Sequence, residues 1–224
     1  MSQTNFITNV LGDKAPEDTT KQMWHFYIDR HDPELTVRWN LNDPINNKYY
    51  TGQREVTLTV TDRFFAGTRD MIRATFTDYN WNPKGDSGYT VKQLWEKTEG
   101  TNDYVTIIQF DYEGDYTISV NGKDKSGRDI KHEGQTGYTS EEFTHDWTPP
   151  KLYVSWDNMN AVNGKYYTSG RNVNFTIEER NFDNELVTFN GLHPSWGNGG
   201  TNIHTLSQSY QSEGDFSIVL SGED

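Results

Sequence analysis

The chain has 224 residues, room for one or two domains, and a net charge of −13 from 33 acidic and 20 basic side chains. That balance argues against nucleic-acid binding, which needs basic patches to neutralise phosphate. The absence of cysteine removes disulfides and thiolate metal sites, so a bacterial surface protein or a cytosolic protein fits better than a small disulfide-stapled domain.

Hydrophobic residues are only 32% of the chain and the mean hydropathy is −0.91, a composition that leans toward disorder. The 7 Trp, 13 Tyr and 11 Phe argue the other way. Rings of that number in periodic segments point to a polar-surfaced β protein with aromatic cores. No apolar run approaches the roughly 20 residues of a membrane span, so no span is expected in this segment.

In chain order, residues 1–28 read as a leader that ends in the last strand of a preceding module, Met23-Trp24-His25-Phe26-Tyr27-Ile28. Leu35, Val37 and Trp39 then alternate with Thr36 and Arg38, the period of a half-buried strand. Asn42-Asp43-Pro44 marks a turn. Lys48-Tyr49-Tyr50-Thr51 leads through Arg54 to a second strand on Val56, Leu58 and Val60, closed by Asp62-Arg63. Further strands are expected at 71–77, at 104–110 and on the face made by Tyr116, Ile118 and Val120. Asp146-Trp147-Thr148-Pro149-Pro150 is a linker, and its prolines make it short and stiff.

Beyond the linker the chain repeats itself. Between Lys48–Phe65 and Lys165–Phe182, at an offset of 117, nine of eighteen residues are identical. At the same offset Phe26, Asp29, Pro33, Leu35, Val37 and Trp39 match Phe143, Asp146, Pro150, Leu152, Val154 and Trp156. Later, Glu113-Gly114-Asp115-Tyr116 matches Glu213-Gly214-Asp215-Phe216 at an offset of 100. A repeat sets the architecture before any other reading. The change of offset places an insertion of 16 to 17 residues within 66–94 of the first copy, with Trp95 taken as the match of Trp196. The divisions expected are residues 1–28, a first module at 29–146 and a second at 147–224. That second module stops at the match of Asp124 and so lacks its last strand. Its open edge invites strand exchange between chains.

The pattern resembles the bacterial immunoglobulin-like modules found in tandem in large cell-surface and cell-wall proteins. It is carried by the Asp/Pro-Pro entry, the strand with Trp39 or Trp156, and the Tyr-Tyr pair followed by Arg54 or Arg171. Asp62-Arg63 and Glu179-Arg180, Gly-Asp-Tyr/Phe, and the trailing Asp124 with Ser126-Gly127 complete it, over residues 26–224. The resemblance implies an all-β fold of two tandem immunoglobulin-like antiparallel β-sandwiches. It also implies a non-enzymatic stalk or adhesin role at the cell surface or in the cell wall, outside the cell. Because Phe216 replaces Tyr116, a tyrosine corner is available to the first module alone.

Individual function is sought first in the insertion. Tyr79, Trp81 and Tyr89 stand among amides in a turn-rich stretch and are the candidate ligand-binding residues, for a glycan or a host surface protein. A longer hairpin whose rings cap their own sandwich explains them equally. An accessory role beside a glycan-active enzyme is a further alternative. Gly85-Asp86-Ser87-Gly88 spells a serine-protease string, but no histidine stands in a matching context and these residues also form turns. No catalytic residues are assigned. No cofactor is required, and zinc has no ligand spacing. Calcium is a better match to Asp29, Asp32, Asp62 and Asp124, with Asp146, Glu179 and Asp224 as counterparts, meeting near module junctions. Solvated acidic loops account for the same residues. No spacing selects a Lys–Asn or Lys–Asp crosslink.

Overall fold

The computed structural model describes residues 25–223. The chain divides into two compact units, Met1–Arg30 and His31–Asp224. In the first unit, residues 25–30 form no regular element and join no ladder. The last strand of a preceding module, expected at 23–28, is therefore not formed over 25–28, and residues 23 and 24 lie outside the described residues. Both repeats belong to the second unit, which is all-β.

The first repeat opens with β1 (Glu34–Trp39), β2 (Tyr49–Tyr50) and β3 (Glu55–Thr61). The insertion region holds β4 (Ile72–Asp78), β5 (Pro83–Gly85) and β6 (Tyr89–Lys97). β7 (Asp103–Phe110) and β8 (Gly114–Val120) follow, then the short β9 (Lys131–His132), β10 (Gln135–Thr136), β11 (Tyr138–Thr139) and β12 (Phe143–His145). One sheet has the order β10-β9-β1-β3-β7-β6 and the other β2-β12-β8-β4-β5, with β11 also on β8. The arrangement is β-sandwich-like. Two pairings, β1 with β9 and β12 with β2, are parallel, against the expectation of purely antiparallel sheets; the other strand pairings among the described residues are antiparallel.

Alternation explains the core. Val56, Leu58 and Val60 point inward from β3 with no exposed surface, while Thr57 and Thr59 face out. Each such burial contributes about 1.5–3 kcal/mol. Tyr116, Ile118 and Val120 answer from β8, with Ile72 and Phe76 from β4. Phe143 of β12 closes the end, ringed by Trp39, Phe110 and Tyr116 at 5.0–5.5 Å.

The second repeat reuses the plan through β13 (Lys151–Trp156), β14 (Arg171–Glu178), β15 (Val187–Phe189), β16 (Gly197–Gly200), β17 (Ile203–Tyr210) and β18 (Leu220–Gly222). Trp39 pairs with Val56 and Trp156 with Val173, an identical register. Arg54 lies 3.8 Å over the Trp39 ring and 4.0 Å over Tyr50; Arg171 lies 3.8 Å over Trp156 and 3.8 Å over Tyr167. Trp95 meets Phe65 edge-on at 5.1 Å and Trp196 meets Phe182 at 5.4 Å, which supports their equivalence.

The copies differ in how they are covered. Leu35 is 4% exposed, whereas its counterpart Leu152 is 49% exposed. In the first repeat Ile130, Tyr138 and Phe143 pack on the core that Leu35 joins. In the second, Leu152, Val154, Phe216 and Val219 meet solvent. The strand expected on Phe216, Ile218 and Leu220 forms only at its end, in β18. β8 is held by seven pairs to β4 and by β12 on its other edge, while β15 offers its counterpart three.

Candidate functional site

The most constructed polar site lies where the second repeat meets the first. Arg180 stands two residues beyond the end of β14, and its side chain is only 1% exposed. Its guanidinium donates to both carboxylate oxygens of Asp115 on β8, at 2.8 and 3.3 Å. A fork on a carboxylate is the strong, directional form of this contact. The same guanidinium lies 3.9 Å over the ring of Trp81. Asp115 also accepts from Thr144 and has Lys48 at 3.6 Å. Burial by itself would raise the Asp115 pKa. The hydrogen bonds from Arg180 and Thr144, with the charges of Arg180 and Lys48, outweigh it and hold the carboxyl below its usual range.

Trp81 reaches this place because the turn between β4 and β5 carries it at φ 63, an uncommon conformation for a bulky residue. Its indole N–H donates to Asn202 at 2.8 Å, and the Asn202 amide donates back to the Tyr79 carbonyl at 2.9 Å. The linker is pinned as well. Glu113 accepts from the backbone of Trp147 and Thr148 and from the Thr148 hydroxyl, at 2.5–2.8 Å. Asn181 bridges Asp146 and Glu179, at 2.6 and 2.8 Å.

The three ring residues singled out in the sequence do not form one site. Tyr79 and Tyr89 line an open cleft of about 830 Å³ together with Phe76, Tyr112 and Trp147, beside Asp78, Asp111 and Glu113. Trp81 instead lines a separate depression of about 410 Å³ with Arg180, Trp196 and His204. Tyr89 is fixed at its hydroxyl, which donates to Asp86 and accepts from Arg69, both at 2.6 Å. Burial and the Asp86 contact push its pKa up to about 12. Tyr112 and Trp147 were not picked out from the sequence. Their only signal there was a large ring in a turn and in a polar linker.

Ser87 sits in the turn before β6, half-buried, and its hydroxyl donates to the Lys84 carbonyl at 3.0 Å. Among the described residues no histidine bonds to it. Asp86 of the same string accepts from Ala74 N–H and pairs with Arg73, an anchor for the hairpin. None of the described lysines is buried, and Lys48 forms ordinary ion pairs with Asp115 and Glu142, so no crosslinking trio is assembled. At the far end of the first repeat, Asp62 and Asp124 are both buried, with carboxylate oxygens within 4.8 Å of each other. Arg63, the match of Arg180, is exposed there over the Phe64 ring.

No family model matches the sequence, and no curated protein is similar to it. No helix among the described residues is long and apolar enough to cross a membrane.

Proposed function

We propose that the chain supplies non-enzymatic, immunoglobulin-like stalk or adhesin modules to a bacterial extracellular surface protein, joined by a stiffened junction. The observation that carries this reading is the Arg180–Asp115–Trp81 lock, which commits a buried guanidinium to the contact between repeats. The repeat, the cysteine-free composition and the acidic surface support it. So does Tyr116, whose hydroxyl has the Tyr112 carbonyl at 2.9 Å, the geometry of a tyrosine corner. Arg180→Met keeps the apolar volume and removes the charge. Solution scattering should show a broader distribution of distances in the variant than in the parent, with the two repeats melting apart. Superimposable profiles and melts would refute the lock.

A second reading has its own observation. The cleft bearing Tyr79, Tyr89, Tyr112 and Trp147 beside three carboxylates is suited to stacking on sugar faces and hydrogen-bonding their hydroxyls. A glycan array probed with the parent protein, Tyr112→Ala and Trp147→Ala tests it. Signals lost in both variants support it, and an array blank with the parent protein sinks it.

A further inference from the structure

We infer that the end of the first repeat formed by the turns after Thr61 and Val120 is a calcium site, with Asp62 and Asp124 as its acidic ligands. The two turns are built together. Asp62 N–H donates to the Asn102 carbonyl at 3.0 Å, the Asp62 carboxylate accepts from Phe64 N–H at 2.6 Å, and Lys125 N–H donates to the Phe64 carbonyl at 3.2 Å. Both acids are only 7% exposed. Their carboxylate oxygens come within 4.8 Å of each other, close enough for one cation to be shared between them.

A second observation points to a ligand. Asp124 is oriented through one oxygen, Oδ1, which accepts from Ser126 N–H, the Ser126 hydroxyl and Arg128 N–H at 2.8–2.9 Å. Its other oxygen, Oδ2, is buried and has no hydrogen-bond partner. Buried polar atoms left in that state are rare and call for an ion or water. Three of the cations nearby in sequence have other placements. Arg128 pairs with Asp32 at 2.9 Å, Lys123 with Asp129 at 2.5 Å, and Arg63 is exposed.

The donor chemistry selects the ion. An all-oxygen, carboxylate-based set suits a hard cation and excludes thiolate- or imidazole-seeking metals. Calcium takes six to eight oxygens at about 2.3–2.6 Å in a flexible geometry, whereas magnesium demands a near-ideal octahedron and gives up its waters reluctantly. The repeat offers an independent echo. Glu179, the match of Asp62, is 1% exposed at the same end of the second repeat, tied through Asn181 to buried Asp146.

The test uses the 224-residue protein stripped with a chelator. Hydrogen exchange is followed over peptides spanning 62–65 and 124–128, with and without calcium at ten times its measured dissociation constant. Exchange in these two turns should slow about tenfold if opening requires release of the ion. Asp124→Asn and Asp62→Asn should each abolish that slowing, and the exposed Asp70→Asn should retain it. Without calcium, Asp124→Asn should melt no lower than the parent, since it removes one of two facing charges. That readout separates loss of a ligand from misfolding. No calcium-dependent change in the parent turns would overturn the site, as would the same change in Asp124→Asn.

Discussion

Acidification should destabilise the first repeat through one imidazole. His145 ends β12 with no exposed surface, packed between Tyr116 and Trp147 at 5.5 and 5.3 Å. Its Nε2 accepts the Arg54 N–H at 3.3 Å, so this nitrogen carries no proton. Burial first, and then the Arg54 charge, lower its pKa from 6.5 to about 4, against a smaller upward pull from the Tyr112 backbone and Asp111. The unfolded chain therefore binds a proton near pH 6.5 that the folded ring refuses until about pH 4. The stability linked to this ring is complete above 6.5 and is lost as pH falls from there to about 4. At about 1.4 kcal/mol per pH unit, the interval is worth about 3 kcal/mol. For a repeat of this size that is a fall in Tm of about 12 °C. Calorimetry of the parent protein between pH 7 and 4 should show it, and His145→Phe, which cannot titrate, should be flatter over the same range. A parent profile level from pH 7 to 4.5, or an equal slope in the variant, would refute the argument.

Three further outcomes follow from packing. Tyr116→Phe removes a buried hydroxyl that has the carbonyls of Tyr112 and Gly88 within 3.0 Å; urea denaturation should show a loss of about 1–3 kcal/mol. The reverse change in the second repeat, Phe216→Tyr, should leave stability unchanged, because Phe216 is exposed. Gly67→Ala places a methyl 2.2 Å from the Trp95 ring and 2.7 Å from Phe65. It should cost about 3 kcal/mol and alter the tryptophan fluorescence; a variant as stable as the parent would show that the Phe65–Trp95 contact is loose.

The strands legible in the sequence are those whose alternation is unbroken and whose residues recur. Val56, Leu58 and Val60 announce a face, and the second copy repeats it in Val173, Phe175 and Ile177. Arg54 and Arg171 recur at the same offset, and the structure lays each over a tryptophan and a tyrosine ring. What was not legible depends on neighbours distant in sequence. Period two assigns a face but not an adjacent strand, so the division of 131–145 into β9–β12 and the two parallel pairings could not be foreseen. Phe216 and Ile218 carry the right alternation, yet that stretch forms no ladder because β15 holds its counterpart over three residues only. The ring trio of the insertion was visible as rings. The φ 63 turn at Trp81 sends one of them to the other repeat, and composition cannot report that.

The joint between the repeats has a common half and a private half. Arg180 and Asp115 have matches in Arg63 and Asp215, so each repeat brings both members of the ion pair. The indole that receives the guanidinium belongs to the insertion and exists in one copy. Exchange the order of the two repeats, and Arg63 would meet a copy that has no ring above the contact and whose Asp215 stands outside any strand. The succession of neighbours is thus written largely in the insertion, as a key cut into one of two related blocks.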